Sequence, residues 1–74
     1  KLDEAILEFR EVVRLQPDSP AGLKNLAAAY AMDGQFDRAV DTAEAALRLN
    51  PAEPLAGEIR SQIALYLQRK RPAR

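Results

Sequence analysis

The sequence predicts an all-α fold, an α-α superhelix of antiparallel helix pairs. Three observations predict it: self-similarity at a spacing of 34 residues, four segments of helical periodicity, and short connections punctuated by proline or glycine. Residues 1–20 laid over residues 35–54 give six identities: Asp3/Asp37, Ala5/Ala39, Arg14/Arg48, Leu15/Leu49, Pro17/Pro51 and Pro20/Pro54. Chance would give roughly one in twenty. Leu2/Phe36, Ile6/Val40, Val13/Leu47 and Gln16/Asn50 are conservative pairs in the same register.

The elements follow in order. Leu2, Ala5, Ile6, Phe9, Val12 and Val13 recur at helical spacing and predict a first helix from about Leu2 to Leu15. Pro17 ends it, because proline disfavours helical geometry in the residue before it. Ser19 is the expected N-cap of the second helix, with Pro20 in its first turn, where a missing N–H costs nothing. That helix runs from about Ala21 to Asp33 with Leu23, Leu26, Ala27 and Tyr30 inward, and Gly34 is its expected left-handed stop. The third spans about Phe36 to Leu49, with Phe36, Ala39, Val40, Ala43, Ala46 and Leu47 inward and Asn50-Pro51 at its end. The fourth starts near Pro54 and reaches Arg71, before Pro72, on a stripe of Leu55, Ile59, Ile63, Tyr66 and Leu67. No segment alternates with period two, so no strand is expected. Connections this short favour antiparallel neighbours. Ala39, Ala43 and Ala46 facing Ala27 allow the second and third helix backbones to approach closely.

Composition narrows the function classes. The 74 residues carry 11 basic and 11 acidic side chains, so no whole-chain field selects nucleic acid or an anionic membrane. The sign is nevertheless uneven: residues 1–68 hold 7 basic and 11 acidic groups, and residues 69–74 add four basic ones. With no Cys and no His, thiolate metal sites and the commonest general base are absent, and no cofactor or metal is called for. No apolar run approaches the roughly 18 residues of a membrane span. The sequence begins at Lys1 rather than Met, so the expectation is a piece of something longer, with its compartment open.

The stretch from Pro20 to Pro51 resembles a tetratricopeptide repeat. Leu23, Leu26, Ala27, Tyr30, Ala39, Ala43 and Pro51 stand at the spacing of that family's pattern, and residues 34–39 look like its inter-helix turn. Leu23 replaces the usual tryptophan and Ala43 the usual aromatic. Ala5, Phe9 and Pro17 match the second half of a preceding repeat. After Pro54 the match fades: Arg60, Ser61 and Ala64 occupy the leucine, small and tyrosine positions. The organisation expected is therefore one unit: residues 1–17 as the second helix of a preceding repeat, 20–51 as a complete repeat, and 54–71 as a capping helix.

The resemblance implies a non-catalytic scaffold that holds a peptide or partner protein in a concave groove. It places Lys24, Asn25, Ala28, Ala31 and Met32 on the groove, with Glu58, Gln62 and Leu65 added by the next helix. One branch of the family clamps a terminal carboxylate with lysines and asparagines, which would use Lys24 and Asn25 here. Ala28, Glu58 and Gln62 depart from that pattern, so solvated side chains are the expected reading of these two. Asp33, Asp37, Asp41 and Glu44 read as a solvated face with neighbouring partners rather than an acid–base pair. Arg69, Lys70, Arg71 and Arg74 favour the helix dipole without any partner. Contact of this basic end with nucleic acid or a membrane surface is a rival reading, with steep salt dependence as its mark. Leu7 stands where the repeat has Asp41, so an exposed apolar surface is expected there. That surface carries the alternative function: a structural spacer or a homo-oligomerisation element of a larger protein.

Overall fold

The computed structural model describes residues 1–70. Four helices account for 80% of it: α1 (Leu2–Leu15), α2 (Pro20–Met32), α3 (Phe36–Arg48) and α4 (Leu55–Lys70). They form antiparallel hairpins with no strand among the described residues. The predicted bounds shift by a single residue at several ends. Pro20 joins α2 rather than preceding it, Asp33 and Leu49 become C-caps, and α4 begins at Leu55 rather than Pro54. The expected stop at Arg71 and Pro72 lies outside the described residues.

Each terminus has a local cause. The Ser19 hydroxyl accepts from the Gly22 N–H at 3.2 Å and satisfies one of α2's orphan donors. Gly34 has φ +79°, and its N–H donates to the Ala31 carbonyl at 2.9 Å while Gln35 N–H donates to Tyr30 at 2.9 Å. That is a left-handed stop, and glycine meets it without steric cost. After α3 the same task falls to Asn50, at φ 56°. Asparagine is among the few residues with a side chain that visit this region routinely. Ahead of α4, the Glu53 carboxylate accepts from the Gly57 N–H at 2.8 Å and from Arg60 Nη2 at 2.6 Å.

α2 and α3 form the central pair. Ala27, Ala39, Ala43 and Ala46 have no exposed surface at all, so the interface is filled by small side chains in close contact. Leu23, Leu26, Tyr30 and Val40 are buried beside them. α1 packs on α2 alone, whereas α4 packs mainly on α3 and touches α2. Ile59 is the largest side chain with no exposed surface, and it anchors α4 to this core together with Tyr66.

Two expected inward residues turn outward. Val12 is 45% exposed, although its repeat counterpart Ala46 is fully buried. The reason is positional: α3 is flanked by α2 and α4, and α1 has a neighbour on one side only. Leu67 is 43% exposed. At the ~100° turn per residue of an α-helix it points about 80° away from Ile59, so it leaves the buried stripe. In exchange Ala29 and Ala56, which the periodicity did not single out, are buried. Leu7 is 62% exposed, in line with its expected outward position, and Asp41 is exposed too.

Candidate functional site

An open cleft of about 240 Å³ lies between α2 and α4, with the start of α3 contributing to its lining. Ala28, Ala31 and Met32 line it from α2, Phe36 from α3, and Leu65, Tyr66 and Arg69 from α4. Two features of the sequence shape it. Alanines at 28 and 31 leave room that larger residues would fill. Ala31 and Met32 share a face with Ala28, and Leu65 and Tyr66 with Arg69, because residues three and four apart are neighbours on a helix.

Four of the eight residues expected on the groove therefore meet at one place: Ala28, Ala31, Met32 and Leu65. The other four, Lys24, Asn25, Glu58 and Gln62, are not among its lining residues. Lys24 Nζ lies 3.5 Å from Glu58 Oε1, which bridges α2 to α4. Asn25 is exposed and Gln62 is partly buried. The Gln62 Oε1 atom is buried, with no hydrogen-bond partner among the described residues. The carboxylate clamp loses force here, because Lys24 already faces an internal carboxylate. That bridge is half open to solvent, and such exposed pairs are worth about 0.2–1 kcal/mol.

Phe36, Tyr66 and Arg69 belong to the cleft without having been expected there. The first two were read as core, and they do pack on each other, with ring centroids 6.4 Å apart and planes at 42°. They are at once core and cleft wall, a double role that periodicity cannot separate. Burial pushes the Tyr66 hydroxyl above its ordinary pKa, since the charged phenolate would lose solvation there. Arg69 had been grouped with the basic end of the chain. A signal for its true setting existed: Glu58, Gln62, Leu65 and Arg69 follow at intervals of four, three and four along one face of α4.

Two further charged contacts join or border the helices. Asp37 accepts from Lys70 Nζ at 2.7 Å across α3 and α4, rather than from a neighbour on its own helix. That hydrogen bond holds the Lys70 ammonium above its ordinary pKa, helped by the charges of Asp41 and Glu44. Arg38 lies over the Tyr30 ring, 5.9 Å from its centroid. Among the described residues, no three acidic side chains converge as a metal site would require. No helix of the described residues is long and apolar enough to cross a membrane. Arg71 and Arg74 of the basic end lie outside the described residues.

No curated protein matches the chain. A family model described as tetratricopeptide repeat matches residues 1–63, the span that holds α1, α2, α3 and the first half of α4. The alanine-lined α2–α3 hairpin, the glycine turn between its helices and this match agree: the chain belongs to the tetratricopeptide repeat family.

Proposed function

We propose that the chain is a protein-interaction module without catalytic chemistry, which holds an extended peptide or a partner protein along the face formed by α2 and α4. The residues assigned to that face are Lys24, Asn25, Ala28, Ala31, Met32, Glu58, Gln62 and Leu65. In this reading residues 1–17 are the second helix of a preceding repeat, 20–51 a complete repeat and 54–71 a cap. One observation carries the proposal: an open apolar cleft in which Met32 is 76% and Leu65 45% exposed. Large apolar side chains held at a concave surface gain by being covered, at about 25 cal/mol per Å². A pool of random decapeptides titrated into ¹⁵N-labelled protein tests it. The expected amide shifts cluster at Ala28, Ala31, Met32 and Leu65; shifts confined to α1, or none at all, would remove the groove.

A second reading has its own observation. Leu7 and Leu15 on α1 are 62% and 64% exposed, and Val12 is 45% exposed, on a helix with one packed neighbour. A spacer or homo-oligomerisation role through α1 predicts sedimentation that depends on concentration and reverts to monomer in Leu7→Ser/Leu15→Ser. Sedimentation as a monomer at every concentration would count against self-association.

A further inference from the structure

The α4 face that borders the cleft presents an ordered pair: Leu65, then Arg69. Each member asks for a different partner. Leu65 faces Met32 across the cleft, with Phe36 and Tyr66 beside them. A volume of about 240 Å³ falls below the roughly 300–1,000 Å³ of sites for drug-sized ligands, so it suits one side chain. Arg69 lines the same cleft. Among the described residues, no carboxylate lies within 4.0 Å of its guanidinium. Three other carboxylates already have partners: Glu58 pairs with Lys24, Asp37 with Lys70, and Asp33 accepts from the Gln35 amide at 2.6 Å.

The spacing selects the ligand. With a helical rise of 1.5 Å per residue, Leu65 and Arg69 are about 6 Å apart along α4. An extended peptide advances about 3.3 Å per residue and points alternate side chains to the same side. Two side chains separated by one residue therefore lie about 6.6 Å apart on one face, which matches the Leu65–Arg69 step.

We propose that the cleft takes an extended peptide carrying an apolar residue, any residue, then an acidic residue. The apolar side chain sits among Met32, Leu65, Phe36 and Tyr66. The carboxylate meets Arg69. This rests on the groove reading above and sharpens it to a sequence pattern.

The test uses a blocked five-residue probe, serine throughout except leucine at its second place and glutamate at its fourth. It is titrated into ¹⁵N-labelled chain of full length. Shifts are expected at Ala28, Met32, Leu65 and Arg69. Glutamine in place of glutamate weakens binding about two- to fivefold, the range of an exposed ion pair. Alanine in place of leucine weakens it about tenfold. Glutamate moved next to leucine binds no better than the glutamine probe. Arg69→Gln, at an exposed position, keeps the helical ellipticity and erases the difference between the glutamate and glutamine probes; Leu65→Ser erases the preference for leucine over alanine. The proposal is overturned if Arg69→Gln leaves the glutamate preference intact, or if adjacent spacing binds equally well. Probes that shift the same cleft residues with no preference overturn the pattern and leave the groove standing. Absence of shifts at Ala28, Met32 and Leu65 with every probe overturns both.

Discussion

Two glycines sit in helical surroundings and should respond to alanine with opposite signs. Gly34 has φ +79° with nothing within 4 Å of an added Cβ, so the obstacle there is the backbone alone. Gly34→Ala should lower stability by about 1 kcal/mol, and Gly34→Asn by less, because asparagine tolerates the left-handed region. Gly22 lies inside α2, where an added Cβ would meet Ser19 Oγ at 3.5 Å and Val12 Cγ1 at 3.7 Å, both ordinary contacts. Gly22→Ala should raise stability by about 0.5–1 kcal/mol through helix propensity and a less flexible unfolded chain. Urea denaturation of the two variants checks the pair; matching signs would mean that one of these backbone readings is wrong. Gly34 and Ser19 were legible in the sequence because turn and cap geometries demand particular residue types. Asn50 was legible only as a helix end: its neighbour Pro51 already explained the stop, so its left-handed backbone left no separate mark. The unpartnered Gln62 oxygen left none at all, since hydrogen-bond satisfaction depends on what lies across from a residue.

For the helices, apolar period settled which segments exist and left their outer edges undecided. The stripe of α4 was read as Leu55, Ile59, Ile63, Tyr66 and Leu67, yet Ile59 has no exposed surface and Leu67 is 43% exposed. Ile59→Ala should cost about 2–5 kcal/mol, the cost of a cavity beneath a helix that packs mainly on α3. Leu67→Ala should change stability by less than about 1 kcal/mol. A chemical denaturation series on both variants measures the contrast, and similar losses would mean that α4 is docked with a different rotation. The same ambiguity governed the cleft. Its α2 wall was legible through the family resemblance and was completed by Leu65. Arg69 was obscured by the basic residues that follow it, and Phe36 and Tyr66 by their service to the core. Val12 failed for a reason no single helix contains. Whether a position is buried depends on a neighbour, and α1 has one where α3 has two.

At the scale of the whole fold, the described residues span 40 × 29 × 15 Å, so along the short dimension they are only one to two helix diameters thick. In such a single layer every helix keeps a solvent face, and stability comes from contacts between sequence neighbours. Ionisable contacts then fall at the surface and divide by pH. On the acid side, the Arg14 guanidinium beside Glu11 holds that carboxyl below its ordinary value of 4.5. The Arg60 guanidinium and the Gly57 N–H do the same for Glu53. A depressed folded pKa contributes stability that is present above the unfolded value and is lost as pH falls through the folded one. On the alkaline side, burial raises Tyr66 and the hydrogen bond to Asp37 raises Lys70. Their contributions are whole below the ordinary values of 10.0 and 10.5 and are lost as pH rises through the folded values. The thermal midpoint, followed by helical ellipticity, should therefore be flat across neutral pH and fall at both ends. Glu53→Gln should lower the plateau slightly and soften the acid fall, because the variant no longer has a proton to bind at that site. Tyr66→Phe keeps the ring against Phe36 and removes the ionisable hydroxyl, so it should soften the alkaline fall and leave the acid fall as it was. An alkaline fall of the same steepness in Tyr66→Phe would mean that the hydroxyl reaches solvent, and with it that the cleft wall between α3 and α4 is looser than its 5% exposure states.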